Sequence, residues 1–172
     1  FNGYVKRMRP EVYRLQKRGG KGVIGAAVKE EDPVEHFLTV NTHDTVLFFS
    51  TEGKQYSAKA YELPEATRQS RGKALVNILN LGSQERISAL VRLSETKTAE
   101  KGLSRYFVMA TRNGKIKKTA VEEFRTNRRN GLISIKLQKG DELAWVAPTG
   151  GSDEIILTTR LGMSIRSSEK NV

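Results

Sequence analysis

Apolar and polar positions along the chain repeat one pattern. An apolar run leads into a Ser or Thr, and a glycine follows three residues after that hydroxyl. It appears as Val46-Leu47-Phe48-Phe49-Ser50-Thr51-Glu52-Gly53 and returns as Phe107-Val108-Met109-Ala110-Thr111-Arg112-Asn113-Gly114. It comes again as Ile155-Ile156-Leu157-Thr158-Thr159-Arg160-Leu161-Gly162, and the opening Gly3-Tyr4-Val5-Lys6-Arg7 matches its second half. Each copy reads as strand, tight turn, strand, with glycine supplying the turn's backbone angle. Each unit is expected to close with a further strand pair: Leu137 to Val146 in one, Leu79 to Gly82 followed by Ile87 to Val91 in the one before. No long stretch carries a 3.6-residue period, so the chain is predicted to be all-β. Glu62-Leu63-Pro64-Glu65-Ala66 is the place where a single helical turn fits.

Successive turn glycines stand about 50, 61 and 48 residues apart, the scale of propeller blades. The polar stretch Ser94 to Gly102 fits the long middle interval as a surface loop. One domain, or part of one, of propeller-like repeats is therefore expected, with units at roughly 1–42, 43–103, 104–150 and a partial 151–172. Closed rings have about four to eight blades, so three periods and a remnant read as a fragment of a larger ring. The absence of an initial methionine fits that reading.

Composition narrows the chemistry. The 172 residues suffice for a real core, although the 37% hydrophobic and 7% aromatic contents are low. There is no cysteine, hence no disulfide, thiol nucleophile or thiolate metal site. His36 and His43 lack the helical spacing of a metal pair. No apolar run approaches membrane-span length and no signal-peptide core is evident, so a soluble intracellular protein is expected. The net charge of +11 points to a polyanionic partner, and nucleic acid is the obvious one.

Part of that charge lies in the glycine-rich stretch Gln16-Lys17-Arg18-Gly19-Gly20-Lys21-Gly22. Three glycines let the backbone approach a ligand, and the cations with consecutive N–H groups suit phosphate. Basic loops recur at Gln69-Ser70-Arg71-Gly72-Lys73 and at Arg125-Thr126-Asn127-Arg128-Arg129-Asn130-Gly131. Arg18 falls 15 residues after Gly3, Arg71 falls 18 after Gly53, and Arg129 falls 15 after Gly114. A repeat array would place these loops at one position on every blade. Lys17, Arg18 and Lys21 are the expected phosphate contacts, Gly19, Gly20 and Gly22 give backbone access, and Arg71, Lys73, Arg125, Arg128 and Arg129 continue the row. Strand lysines Lys115, Lys117 and Lys118 read more simply as solvating charges. The glycine-rich stretch is no nucleotide P-loop, because Lys21 is followed by glycine and the upstream glycine is missing. The acidic run Glu30-Glu31-Asp32 with Glu35 reads as a solvated loop.

The heptad at residues 16–22 resembles the gyrase A box, the signature of the C-terminal domain of the DNA gyrase A subunit, with Lys17 where arginine is common. Gly3-Tyr4-Val5-Lys6-Arg7 looks like the approach to that box; Glu30-Glu31-Asp32, Asn41-Thr42-His43-Asp44-Thr45 and Tyr61 to Ala66 resemble the next blade of the family. The resemblance covers effectively the whole chain. It implies a β-pinwheel, a ring whose blades exchange strands with their neighbours and whose basic rim wraps DNA for ATP-driven negative supercoiling. It also implies double-stranded DNA as a partner, a heterotetramer with the gyrase B subunit plus the rest of the gyrase A subunit, and a place in the bacterial cytoplasm at the nucleoid. The family's DNA-cleaving tyrosine lies in another domain, and ATP and magnesium serve other parts of the holoenzyme. Tyr4, Tyr13, Tyr56, Tyr61 and Tyr106 match no cleavage motif, so no catalytic residue, metal or cofactor is expected in this chain.

Wrapping requires many phosphate contacts and little base readout, because bending 20 to 30 base pairs costs roughly 1–6 kcal/mol. The corresponding domain of topoisomerase IV, with a degraded box, is the nearest alternative. A basic propeller that binds protein would show weak salt dependence instead. A nucleic-acid enzyme with its own site lacks a candidate nucleophile, base or metal set.

Overall fold

The computed structural model describes residues 3–12, 33–94, 105–125 and 131–172. Its strands are β1 (Tyr4–Val5), β2 (Thr45–Ser50), β3 (Lys54–Lys59), β4 (Lys73–Ala74), β5 (Ile87–Leu93) and β6 (Tyr106–Thr111). They continue as β7 (Ile116–Ala120), β8 (Leu132–Ile133), β9 (Leu143–Thr149), β10 (Glu154–Thr158) and β11 (Ser164–Ser168). All pairings between them are antiparallel, in sheets ordered β5-β2-β3-β8, β7-β6-β9, β1-β4 and β10-β11. Among the described residues there is no α-helix, as the sequence predicts.

The Ser/Thr-to-glycine spacing is explained by the turns of the hairpins β2–β3, β6–β7 and β10–β11. In each, the glycine N–H donates to the carbonyl three residues back: Gly53 to Ser50 (3.0 Å), Gly114 to Thr111 (3.0 Å), Gly162 to Thr159 (3.0 Å). The next N–H donates to the hydroxyl of that same residue, from Lys54 at 3.3 Å, Lys115 at 3.1 Å and Met163 at 3.2 Å. One Ser or Thr thus satisfies two backbone donors of a turn that has left the ladder. Seven residues beyond the turn glycine the chain enters a short 3-10 turn in every unit, beginning at Pro10, Ala60, Val121 and Glu169. The helical turn expected at Glu62 to Ala66 is therefore the 3-10 turn Ala60–Glu62, and Glu65 instead bridges to Arg7.

The closing strand pair is a single strand in the second and third units. β5 lies on the far side of β2 and β9 on the far side of β6, each with a register shift at its end, after Phe49 and after Ala110. Residues 79–82 and 137–140 form no strand, because they turn back on themselves through Leu81 N–H to Leu79 O, Glu85 N–H to Gly82 O and Asp141 N–H to Gln138 O.

The fourth strand of a sheet comes from the following unit. β8, from the third unit, pairs with β3 of the second through Lys54↔Ile133 and Gln55↔Leu132. β4, from the second, pairs with β1 of the first in the same way through Tyr4↔Ala74 and Val5↔Lys73. This is the exchange of strands that the family resemblance implies.

Packing follows from the apolar runs. Leu47 and Phe49 of β2 point into one core with Val91, Phe107, Met109, Phe124, Ile135 and Leu143; Val46 and Phe48 point into a second core with Tyr56, Leu63, Leu75 and Leu79. Because both faces of β2 are covered, the run is continuously apolar rather than alternating. Phe49, Phe107 and Phe124 meet pairwise with ring centroids 5.3–5.9 Å apart, joining the second unit to the third. Burying such side chains is worth about 1.5–3 kcal/mol each.

Gly53 and Gly114 occupy the same turn position at φ +74° and +85°, but a Cβ on Gly53 would sit 2.5 Å from the carbonyl oxygen of Ile135, whereas Gly114 has open space. Gly114→Ala should therefore cost only the left-handed backbone penalty of about 1–2 kcal/mol. Gly53→Ala should cost at least about 2 kcal/mol more, because the backbone at Ile135, just beyond β8, must be displaced. Urea unfolding of the two variants checks this difference.

Candidate nucleic-acid interface

The clearest view of a basic loop is at residues 67–73, where the chain leaves the second unit to pair with the first. Ser70 N–H donates to Thr67 O at 3.2 Å, and Gly72 N–H donates to the Ser70 hydroxyl at 3.2 Å, closing a compact turn. Gly72 has φ +87° and its Cα lies so close to the carbonyl of Val5 that any Cβ would collide with it. Only glycine permits β4 to enter its pairing there. The first unit supplies further anchors: Arg7 N–H donates to Pro64 O (2.8 Å) and Ala66 N–H to Arg7 O (3.0 Å). Lys6 Nζ donates to three carbonyls of the loop, Thr67 (3.2 Å), Arg68 (2.8 Å) and Ser70 (2.7 Å). Burial lowers the pKa of Lys6. The guanidinium of Arg71 lies 4.0 Å from the centroid of the Tyr4 ring.

Of the sequence-predicted contacts, Arg71 and Lys73 are thus brought to one exposed loop, Lys73 as the first residue of β4. Arg125 sits at the end of the 3-10 turn Val121–Phe124, donating to Ser94 O at 3.2 Å with Glu122 3.9 Å away. Residues 16–22 and Arg128 and Arg129 lie outside the described residues. Lys115, Lys117 and Lys118 donate to the carbonyls of Lys136, Ser134 and Glu169, which gives them a bracing role within the chain.

One residue was overlooked by the sequence reading. Arg68 stands 15 residues after Gly53, the same interval as Arg18 from Gly3 and Arg129 from Gly114. Arg71, chosen for its Arg-Gly-Lys context, instead aligns with Lys21, since Gly72 and Gly22 both stand 19 residues after their turn glycines. Constant spacing from the turn glycine was the available signal. Arg68 is half-buried in the loop that carries the exposed Arg71 near its exit.

The next basic loop, ending at Gly131, is anchored at its exit by different chemistry. Gly131 (φ +77°) rests against the Tyr56 ring, where a Cβ would come within 2.9 Å. Tyr56 holds the position in the second unit that Lys6 holds in the first. Its hydroxyl donates to Glu85 Oε2 at 2.8 Å, which also accepts from Gly82 N–H at 2.9 Å and lies 3.6 Å from Lys54 Nζ. Burial pushes the Glu85 carboxyl upward, but the Ser50 hydroxyl, the Gly82 amide, the Tyr56 hydroxyl and the Lys54 charge outweigh it and hold the pKa below 4.5. Burial together with Glu85 raises the Tyr56 phenol well above its ordinary value. Among the described residues no cluster of His, Asp and Glu could hold a metal ion. None of their helices is long and apolar enough to cross a membrane.

A family model described as DNA gyrase C-terminal domain, beta-propeller, matches residues 2–41, 44–94 and 105–149. The chain belongs to this family. It is 45% identical to a DNA gyrase A subunit from Mycolicibacterium smegmatis over 166 residues, 96% of this chain and 19% of that one. The fold matches the solved C-terminal domain of DNA topoisomerase IV with a TM-score of 0.79 and that of DNA gyrase A with 0.69, both at 28% identity. The match covers 99% of this chain and 50% and 53% of those domains, respectively. The chain thus spans about a fifth of the length of the curated relative and about half of the solved domains.

The Glu85 network carries a pH signature. Its carboxyl titrates below the unfolded-state value, so its contribution to stability is complete above pH ~4.5 and is lost as pH falls through the lower folded-state pKa. Glu85→Gln should cost about 2 kcal/mol at pH 7. It should also reduce the steepness of the stability loss below pH ~4.5, as measured by circular dichroism of urea unfolding across pH.

Proposed function

We propose that this chain binds double-stranded DNA without sequence preference and bends it along a row of basic loops, as part of a DNA gyrase A subunit. The loop at residues 67–73 carries this reading. Arginines at one phase of the repeat stand on a turn whose exit is pinned to the preceding unit, and the box at residues 16–22 has the same phase. Such a row touches phosphates at regular intervals along a curved path, the arrangement that bending a stiff duplex needs. Phosphate contacts fall to Lys17, Arg18, Lys21, Arg68, Arg71, Lys73, Arg128 and Arg129, with Gly19, Gly20 and Gly22 giving backbone access and Arg125 at the margin. Gln16 completes the box. On this reading the units run 1–42, 43–103, 104–150 and 151–172.

Within the whole protein the bent segment is presented to a strand-passage core elsewhere in the gyrase A polypeptide. ATP use and magnesium belong to other parts of a cytoplasmic heterotetramer with the gyrase B subunit. This chain supplies no catalytic group of its own. The gyrase assignment is preferred to topoisomerase IV because residues 16–22 keep the box nearly intact.

Fluorescence anisotropy on a mixed-sequence duplex, titrated with salt, tests the reading beside a bending assay by energy transfer. Binding should fall steeply with salt, and Lys17→Ala/Arg18→Ala/Lys21→Ala should reduce the log–log slope by roughly 0.9 per lost contact and abolish bending. Unchanged bending by the triple variant would remove the box from the wrapping path. Salt-insensitive binding would favour a protein-binding propeller.

A further inference from the structure

The contacts around Lys6 have a directional consequence. Its ammonium draws the carbonyl oxygens of Thr67, Arg68 and Ser70 toward one point. In a trans peptide the N–H points opposite to the C=O. The N–H groups of those same three peptides, which belong to Arg68, Gln69 and Arg71, are therefore directed away from Lys6. Those positive ends spread outward from the ammonium, and what the three contacts supply is a brace that fixes the backbone of the loop carrying Arg71. Tyr4, two residues before Lys6, holds the Arg71 guanidinium against its ring face, which fixes the plane of the group without neutralising its charge. Both anchors come from the first unit, more than 60 residues earlier in the chain, and reach the loop because β1 pairs with β4.

We propose that Lys6 and Tyr4 are positioning residues for DNA contact: the first unit shapes the phosphate-binding loop of the second, with Lys6 bracing the loop backbone and Tyr4 orienting Arg71. This rests on the DNA-binding reading above. Lys6 touches no phosphate itself, since its ammonium donates into the loop carbonyls, and its lowered pKa fits a charge withdrawn from solvent. Its influence is therefore exerted through Arg71. A second lysine at the corresponding position, Lys117 in the third unit, also donates to a carbonyl, that of Ser134, but within its own unit. The arrangement at Lys6 thus joins two units where that at Lys117 braces one.

A double-mutant cycle on the 172-residue chain tests the proposal, with anisotropy on a mixed-sequence duplex across a salt series and thermal unfolding of every variant alongside. Arg71→Ala should lower the log–log salt slope by about 0.9, Lys6→Met should lower it by a similar amount, and the double variant should lose no more than either alone. Additive losses would overturn the proposal and make Lys6 a phosphate contact in its own right. A wild-type slope for Lys6→Met would also overturn it. Tyr4 provides a test independent of Lys6→Met folding. Tyr4→Phe should bind DNA like wild type, whereas Tyr4→Leu should bind about two- to fivefold more weakly at an unchanged melting temperature. Equal binding by the two Tyr4 variants would eliminate the stacking role. If Arg71→Ala has no effect while the box triple variant still weakens binding, this inference falls and the DNA-binding reading stands. If binding responds to neither the box variant nor salt, the DNA-binding reading itself fails.

Discussion

The pairing of a two-residue strand with the hairpin of the preceding unit is the constraint on which the structure depends. A hairpin such as β2–β3 has one edge covered by β5 of its own unit and the other open. An open edge exposes unpaired N–H and C=O groups and invites association. β8 covers it, and β4 does the same for β1. Neighbouring units are thereby joined by main-chain hydrogen bonds as well as by the aromatic contacts of Phe49, Phe107 and Phe124. Such pairing needs very close approach of backbones, which is why Gly72 and Gly131 stand immediately before the two exchanged strands.

The same pairing decides where positive charge can act. A long basic segment free at one end would lose much entropy on binding DNA. Here Gly72 and Gly131, where two basic segments end, are tied to the previous unit, by Val5 and Lys6 in one case and by Tyr56 in the other. The fold also divides its cations by role. Lys6, Lys115, Lys117 and Lys118 donate to main-chain carbonyls, while Lys73 and Arg71 stand exposed at the loop. Net charge alone does not distinguish these groups.

Buried carboxylates complete the arrangement. Glu85 closes a network with Tyr56, Gly82 and Lys54, and Glu169 accepts from the Thr149 hydroxyl and the amides of Gly151 and Asp153, holding the last hairpin to β9. Burial opposes the charge of Glu169, but these hydrogen bonds and Lys118 prevail and its pKa is lowered. Each buried charge is offset by hydrogen-bond donors that the fold holds against the carboxylate.

The all-β class, the repeat and the three hairpins are legible in the residue pattern, because each is encoded within a few residues. The Ser/Thr-to-glycine spacing at Ser50, Thr111 and Thr159 is turn chemistry, and the continuous apolar runs of β2 and β6 report strands buried on both faces, whereas the similar run of β10 is half exposed. Even Arg68 was available from spacing alone. The tertiary structure decided the rest. β4 and β8 are two residues long and have no periodicity to read, and nothing local to Leu79 or Leu137 distinguishes a turn from a closing strand. Lys6 reads as an ordinary strand cation until β1 finds its partner far along the chain, because hydrogen bonding across such separations depends on packing that no short window of sequence contains.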